Sequence, residues 1–151
     1  MLKKHWTSLH KIFKQLFYYE FMSRKSIGIN AERELIHLFW SAGWSAVRVA
    51  GSGSSQYPSC DILASNISRK IAIEAKVTKD KGKYLSKEEV EQFQLFSSKF
   101  GAEAWIGVKF KNLTWFFVTL EDLKLVGKNY LISVELAKNK GLLFNQLINR
   151  F

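Results

Sequence analysis

The stretch IAIEAKV, residues 71–77, decides how the chain is read. Its Ile, Ala and Val content is that of a buried strand, yet a glutamate and a lysine stand two positions apart within it. Side chains on a strand alternate between faces. Ile71, Ile73, Ala75 and Val77 therefore share one face, while Ala72, Glu74 and Lys76 share the other. A core strand that directs a carboxylate and an ammonium the same way serves chemistry as well as packing.

The residues just before it supply a partner. CDILAS (60–65) reads as a short strand and NISR (66–69) as a turn into a third strand over 70–78. Antiparallel pairing brings Asp61 and Glu74 to the same end of a hairpin, on one face. Clustered carboxylates repel unless a proton or a hard cation relieves them, and oxygen donors select cations such as Mg2+. Lys76 cannot ligate a cation while protonated. It can orient a water nucleophile or stabilise negative charge growing on a phosphate. The strand thus reads as a platform for metal-assisted phosphodiester hydrolysis. The competing reading is that Glu74 and Lys76 only neutralise each other.

Working outward toward the N-terminus, the periodicity predicts a helix over 27–43, capped by Ser26 or Asn30 and ended by Gly43. Ile29, Glu32, Ile36, Phe39, Trp40 and Gly43 form one stripe, with Glu34 turned to water. Glu32 on an apolar stripe needs a partner, either an Arg or Lys in a buried ion pair or the cation of the hairpin site. A strand over 45–50 and the loop GSGSSQYPS (51–59) lead to Asp61. Toward the C-terminus, TKDKGKYL (78–85) reads as a basic loop. Ser86 and Glu89 then form a capping box for a helix that Gly101 stops. Strands follow over 103–110 and 113–120. The tail holds a short helix at EDLKL, a strand at YLISVEL and an apolar turn at LLFNQLI. The order α-β-β-β-α-β-β predicts an α/β sandwich around a mixed sheet.

Composition narrows the class. The 151 residues are 47% hydrophobic and 15% aromatic, enough for one folded domain with a core. The net charge of +10 attracts polyanions, nucleic acid first and an anionic membrane surface second. Cys60 is the single cysteine, so no internal disulfide forms and an intracellular, reducing home is expected. His5, His10 and His37 are scattered without zinc spacing, and GSGSS lacks the features of a nucleotide loop, so no small-molecule cofactor is expected. No apolar run reaches the length of a spanning helix. Residues 1–22 form a basic amphipathic extension, with Leu9, Ile12, Phe13, Leu16, Phe17 and Phe21 at helical spacing. It reads as a helical appendage packed on the domain or a partner, or as a membrane-surface helix. Met22 is an alternative start, directly before the domain that occupies 23–151.

An Asp, a short hairpin and then Glu-x-Lys resembles the core of the PD-(D/E)-x-K nuclease superfamily. GINAERELI (28–36), AVRVAGSGSS (46–55), CDILA (60–64), IAIEAKVT (71–78) and WIGVKF (105–110) look like successive blocks of the archaeal-type Holliday junction resolvases. The resemblance covers about residues 24–120. It implies a restriction-endonuclease-like fold, a mixed five-stranded sheet flanked by helices. It also implies metal-site roles for Glu32, Asp61 and Glu74, a metal-facing carbonyl at Ala75, and a catalytic lysine at Lys76. Arg33 and Arg48 would grip phosphates near the scissile bond, and Ser52 matches a serine close to the active site. Two positions depart from the pattern: the proline stands at Pro58 rather than directly before Asp61, and Glu89 stands where relatives often have glutamine.

Around these residues, Ser52 and Ser54 make the glycine-serine loop rich in donors, and Lys79 and Lys81 follow the catalytic strand; all four are expected to meet DNA. The WFFV run (115–118) is apolar on both faces, so the tail or a second subunit must cover one of them. A near-symmetric junction that needs two cuts suits a homodimer, which the resemblance also implies. The sequence is therefore expected to encode a Mg2+-dependent endonuclease resolving four-way DNA junctions in recombination and repair, with Mn2+ able to substitute. The alternatives are a nuclease for other branched or nicked DNA and a DNA-binding module without cleavage.

Overall fold

The computed structural model of the protein describes residues 2–150, with side chains from Phe13 onward apart from Tyr19 and Met22. The side chains of Leu9 and Ile12 in the amphipathic extension lie outside the described residues. The elements are α1 (Leu2–Ser41), β1 (Ser45–Arg48), β2 (Ile62–Ser65), β3 (Lys70–Thr78), β4 (Gly82–Ser86), α2 (Lys87–Phe100), β5 (Glu103–Phe110), β6 (Trp115–Thr119), β7 (Lys124–Val126), β8 (Asn129–Ser133), α3 (Val134–Lys140) and α4 (Phe144–Ile148).

A five-stranded sheet in the order β1-β2-β3-β5-β6 is the frame, with β3 and β5 parallel and every other pair antiparallel. Parallel pairing of β3 with β5 needs a crossover, and α2 provides it. Ile71 and Ile73 face a core shared with Leu35 and Phe39 of α1, Trp105, Trp115, Phe117 and Leu147 of α4. Ala72 faces the other way, into a second core with Leu85, Val90 and Phe93 of α2, Ile106, Val108, Val118 and Ile132. With both faces covered, the central strands bury hydrophobic residues in unbroken succession, as Ile71, Ala72 and Ile73 do. The mixed sheet and its flanking helices match the expected fold class.

Several local expectations change. The first helix does not start near residue 27; α1 runs unbroken from Leu2. Ser26 caps nothing, because its hydroxyl donates to the Ser23 carbonyl within the helix, as Ser23 does to Glu20. Such bonding lets serine sit inside a helix. The C-terminal end is as expected: Gly43 takes φ +80, while Trp44 N–H reaches the Phe39 carbonyl and Gly43 N–H that of Trp40. These bonds make a Schellman stop. The buried stripe of α1 is Ala31, Leu35 and Phe39, one step round from the stripe expected; Trp40 is exposed, with its indole N–H on the Ala46 carbonyl. Glu34 does not face water alone, since its carboxylate takes Lys109 Nζ at 2.8 Å, tying α1 to β5.

The basic stretch read as a loop contains β4, which pairs with β8 in a second sheet ordered β4-β8-β7. Its partner lies far along the chain, so local pattern alone understates it. Helix α2 follows the sequence closely: Ser86 and Glu89 complete the capping box, and Gly101 ends the helix at φ +71. In the tail, EDLKL holds a 3-10 turn at Leu120–Asp122 and the start of β7 instead of a helix.

The surplus apolar face of β6 is covered from within the chain. Phe117 exchanges backbone hydrogen bonds with Leu142, 2.8 Å in each direction, and Phe144 packs edge-on to Phe39 and tilted against Phe117. Trp115 and Phe117 are essentially inaccessible. Of the two covers that the sequence left open for this face, the tail is the one that lies on it. This packing predicts that Leu147→Ala, at a fully buried site, costs about 2–5 kcal/mol in urea unfolding. Leu143→Ala, at a site 38% exposed, should cost less than about 1 kcal/mol. Equal, small losses at both positions would show that the tail does not close the core.

Candidate active site

The β2–β3 register ends with Ile62 against Ile73, and Asp61, one residue beyond it, stands beside Glu74. Asp61 is pinned by its backbone before its side chain acts: its N–H donates to the Ile73 carbonyl at 3.0 Å, and its carbonyl accepts from Val49 at 2.8 Å. The carboxylate is then fixed at both oxygens. Oδ1 accepts from the Ser52 hydroxyl at 3.0 Å and Oδ2 from the Ala75 N–H at 2.8 Å. The glycine-serine loop reaches this position through a 3-10 turn over Ser52–Ser54, entered by Gly51 at φ +70.

Glu74 is mostly buried beside this fixed charge. Burial, then the nearby Asp61 charge, pushes its carboxyl up from 4.5 to about 7. Lys76 Nζ offsets part of that rise with a 3.0 Å contact to Glu74 Oε1. Burial would lower the Lys76 ammonium, but Glu74, Glu89 and Asp61 together outweigh it and hold the group above its ordinary value. Burial raises the Glu89 carboxyl, yet the Ser86 N–H and Lys76 outweigh it and leave it below the ordinary range. Cys60, just behind Asp61, is driven up to about 12 by burial and then by the Asp61 and Glu74 charges, so it stays a neutral packing thiol.

Asp61, Glu74 and Lys76 line one cleft of about 760 Å3 that also holds Glu32, Ser52, Ala75 and, from α2 and its cap, Ser86, Glu89 and Gln92. Glu32 reaches the wall opposite the hairpin and is ion-paired there with Arg48. Both readings of Glu32 thus have a structural counterpart, an ion pair and a place in the cleft. Arg33, Lys79 and Lys81 are exposed and do not line the cleft. Ser54 turns its hydroxyl to the Gly51 carbonyl at 3.2 Å, inside its own turn.

Glu89 is the residue that sequence reasoning undervalued. Its Oε2 accepts the Ser86 N–H as the capping box requires, while Oε1 takes Lys76 Nζ at 3.2 Å. The capping signal explained the residue so fully that its second contact went unread. Tyr57 and Phe93 also line the cleft without having been singled out; neither carried a signal beyond loop and core character.

The fit to a hard cation can be judged on the donors. Asp61, Glu74 and a backbone carbonyl are all oxygen, and a cation would offset both the burial and the Asp61 repulsion that raise the Glu74 carboxyl. Among the described residues no three His, Cys, Asp or Glu side chains gather into a complete ligand set. The protein's side chains would thus form part of the shell, leaving the rest to carbonyl, water or phosphate oxygens, as Mg2+ commonly accepts.

Comparison with known proteins decides the family. Residues 23–151 match the model of the archaeal Holliday junction resolvase (hjc) family. The chain belongs to that family. It is 40% identical to the crossover junction endodeoxyribonuclease Hjc of Archaeoglobus fulgidus over 129 residues, which is 81% of this chain and 95% of that one. The Hjc of Methanocaldococcus jannaschii is 31% identical, over 82% of this chain and 87% of its own length. The solved structure of Archaeoglobus fulgidus Hjc, a Holliday junction resolvase from an archaeal hyperthermophile, superposes with a TM-score of 0.74 at 36% identity. It covers 82% of this chain and 97% of that one. The family match begins at residue 23.

The raised carboxyl of Glu74 has a measurable consequence. Between pH 4.5 and about 7 the folded chain holds a proton that the unfolded chain has released. Metal-free stability therefore falls as pH rises through that window. Glu74→Gln should raise metal-free stability by about 1–3 kcal/mol at pH 8 and leave it nearly unchanged at pH 4.5. Adding Mg2+ at pH 8 should stabilise the parent chain and not the variant. A variant less stable than the parent at pH 8 would mean that the Lys76 contact outweighs burial.

Proposed function

We propose that the protein is a Mg2+-dependent endonuclease that resolves four-way DNA junctions by paired nicks, in homologous recombination and repair inside the cell. The observation that carries this is the hairpin register that sets Asp61 against Glu74 with Lys76 on the same face, in a chain of the resolvase family. A DNA-binding module without cleavage would have no need to maintain a buried carboxylate pair beside an ammonium.

Asp61, Glu74 and the Ala75 carbonyl would hold the cation, with Glu32 joining from across the cleft once its pairing with Arg48 loosens. A bound Mg2+ (or Mn2+) supplies Lewis-acid stabilisation of the charge that develops on the scissile phosphate. The chain's own residues do the rest. Ser52 and the Ala75 N–H fix the Asp61 carboxylate, so it needs no reorganisation when a phosphate arrives. Lys76 stays cationic and keeps its Nζ over the cleft, where it orients the attacking water and meets the phosphate. A cation held there would favour the charged carboxylate of Glu74, the form that burial and the Asp61 charge oppose. Arg48, beside Glu32 at the rim of the cleft, meets phosphate near the scissile bond, and Arg33, Lys79 and Lys81, with Ser54 at the loop, contact the backbone of the DNA outside the cleft. Recognition then rests on phosphate positions and branch shape. Two cuts within one bound complex call for two sites held together, which supports a homodimer whose interface lies outside the tail-covered face of β6. Among the described residues no helix is long and apolar enough to cross a membrane.

A labelled mobile four-way junction with Mg2+ should be cut in paired strands, while a linear duplex of the same arms stays intact. Equal cutting of both would replace junction resolution with general nuclease action. Asp61→Asn should abolish cleavage while retaining junction binding, because losing a negative charge eases phosphate approach. Glu32→Gln separates the two roles of that residue. A hundredfold slower cut in a stable variant, roughly 2.7 kcal/mol of transition-state stabilisation, marks a member of the metal site. Unchanged cutting with a lower melting temperature marks a structural ion pair. Light scattering should give twice the chain mass.

A further inference from the structure

The N-terminal part of α1 is not explained by the nuclease site. It precedes the family match, which starts at residue 23, yet it continues the same helix into the domain without a break. Its described side chains do not pack on the domain. Phe13 is 70% exposed, Phe17 75%, Leu16 61% and Phe21 60%. At ~100° per residue these four spread over roughly 140° of the helix surface. Gln15 stands on the other side and Lys14 flanks the arc about 20° beyond Phe21, and the sequence of residues 1–19 contains Lys3, Lys4, Lys11 and Lys14 and no acidic residue. The first acid, Glu20, falls on the apolar side and is paired with Arg24 at 2.5 Å. That pair marks the end of the apolar face.

We propose that this segment is a membrane-surface helix that seats its aromatic face in the interface of an anionic lipid bilayer and holds the nuclease domain against it. A basic helix with an arc of Phe and Leu, lysine at its flank and no acid before Glu20 has the composition that lies in the headgroup layer. Its charge is complementary to anionic headgroups, each nearby lysine adding attraction. A second copy of the helix fits less well. A two-stranded seam uses a narrower a/d stripe, and pairing would bring two acid-free, lysine-bearing segments together without opposite charges to meet them. The helix has the length to lie along a surface while residues beyond Arg24 remain in the domain.

The test uses the full chain and its Phe13→Gln/Phe17→Gln variant, which keeps the charge and the helix propensity. Each is sedimented with vesicles of phosphatidylglycerol and phosphatidylcholine, and with phosphatidylcholine alone, at 0.1 M and 0.5 M NaCl. The parent chain should pellet with anionic vesicles and stay bound at the higher salt, where purely ionic attachment is screened. The variant should lose at least tenfold of the high-salt binding while cutting a four-way junction at the parent rate. Parent chain that washes off with salt as readily as the variant would overturn the proposal, since the aromatic face would then contribute nothing. So would self-association by light scattering that disappears in the variant without any vesicle binding, because a second copy would then be the occupant.

Discussion

Two carboxylates forced together by backbone pairing are the constraint on which the rest depends. With Ile62 paired to Ile73 and the Asp61 N–H on the Ile73 carbonyl, Asp61 is held beside Glu74. Its orientation is set by groups that cannot move far, a backbone N–H of β3 and a hydroxyl in a 3-10 turn. The cost appears on Glu74, whose carboxyl rises to about 7 because burial and the Asp61 charge both oppose ionisation. A chain selected for stability alone would place apolar residues there. The strain is concentrated where a cation would relieve it, which is how functional sites commonly depart from the rules of a good core.

The scaffold holds that strain through parts that serve twice. The apolar face of β3 anchors the strand in the core under α1 and α4, so its polar face is presented rigidly. The parallel neighbour β5 requires α2 to cross the sheet, and that crossover brings the start of α2 to the edge of the cleft. There a single glutamate, Glu89, both caps the helix and takes hold of Lys76. The position of the ammonium is thereby linked to the integrity of a helix end, and the opposite wall, Glu32 with Arg48, is carried by α1 and β1.

The hairpin, the capping box, the glycine stops and the mixed sheet were legible because each is written in short-range chemistry: alternation, a serine three residues before a glutamate, a glycine where φ turns positive. What was not legible depends on partners distant in sequence. Strand β4 looked like a lysine-rich loop until β8 supplied its ladder. The apolar faces of β6 and the tail looked like surfaces for a second subunit because nothing local says that Leu142 returns to pair with Phe117. The helix was begun too late because Ser26 and Asn30 are good caps in isolation, whereas a helix already formed absorbs them. Asp61, Glu74, Lys76, Ser52 and Glu32 line one cleft. Arg33, Lys79 and Lys81 lie on the surface outside it, where a contact with DNA leaves no mark on the chain alone.

The most direct measurement is calorimetric titration of the chain with Mn2+ at pH 6 and pH 8, in buffers of differing ionisation enthalpy so that protons can be counted. If burial and the Asp61 charge hold the carboxyl of Glu74 near 7, each bound cation should release close to one proton at pH 6 and almost none at pH 8. Asp61→Asn should abolish the binding. Cation binding without proton release at pH 6, or binding of equal strength in Asp61→Asn, would contradict the carboxylate pair as the centre of the site.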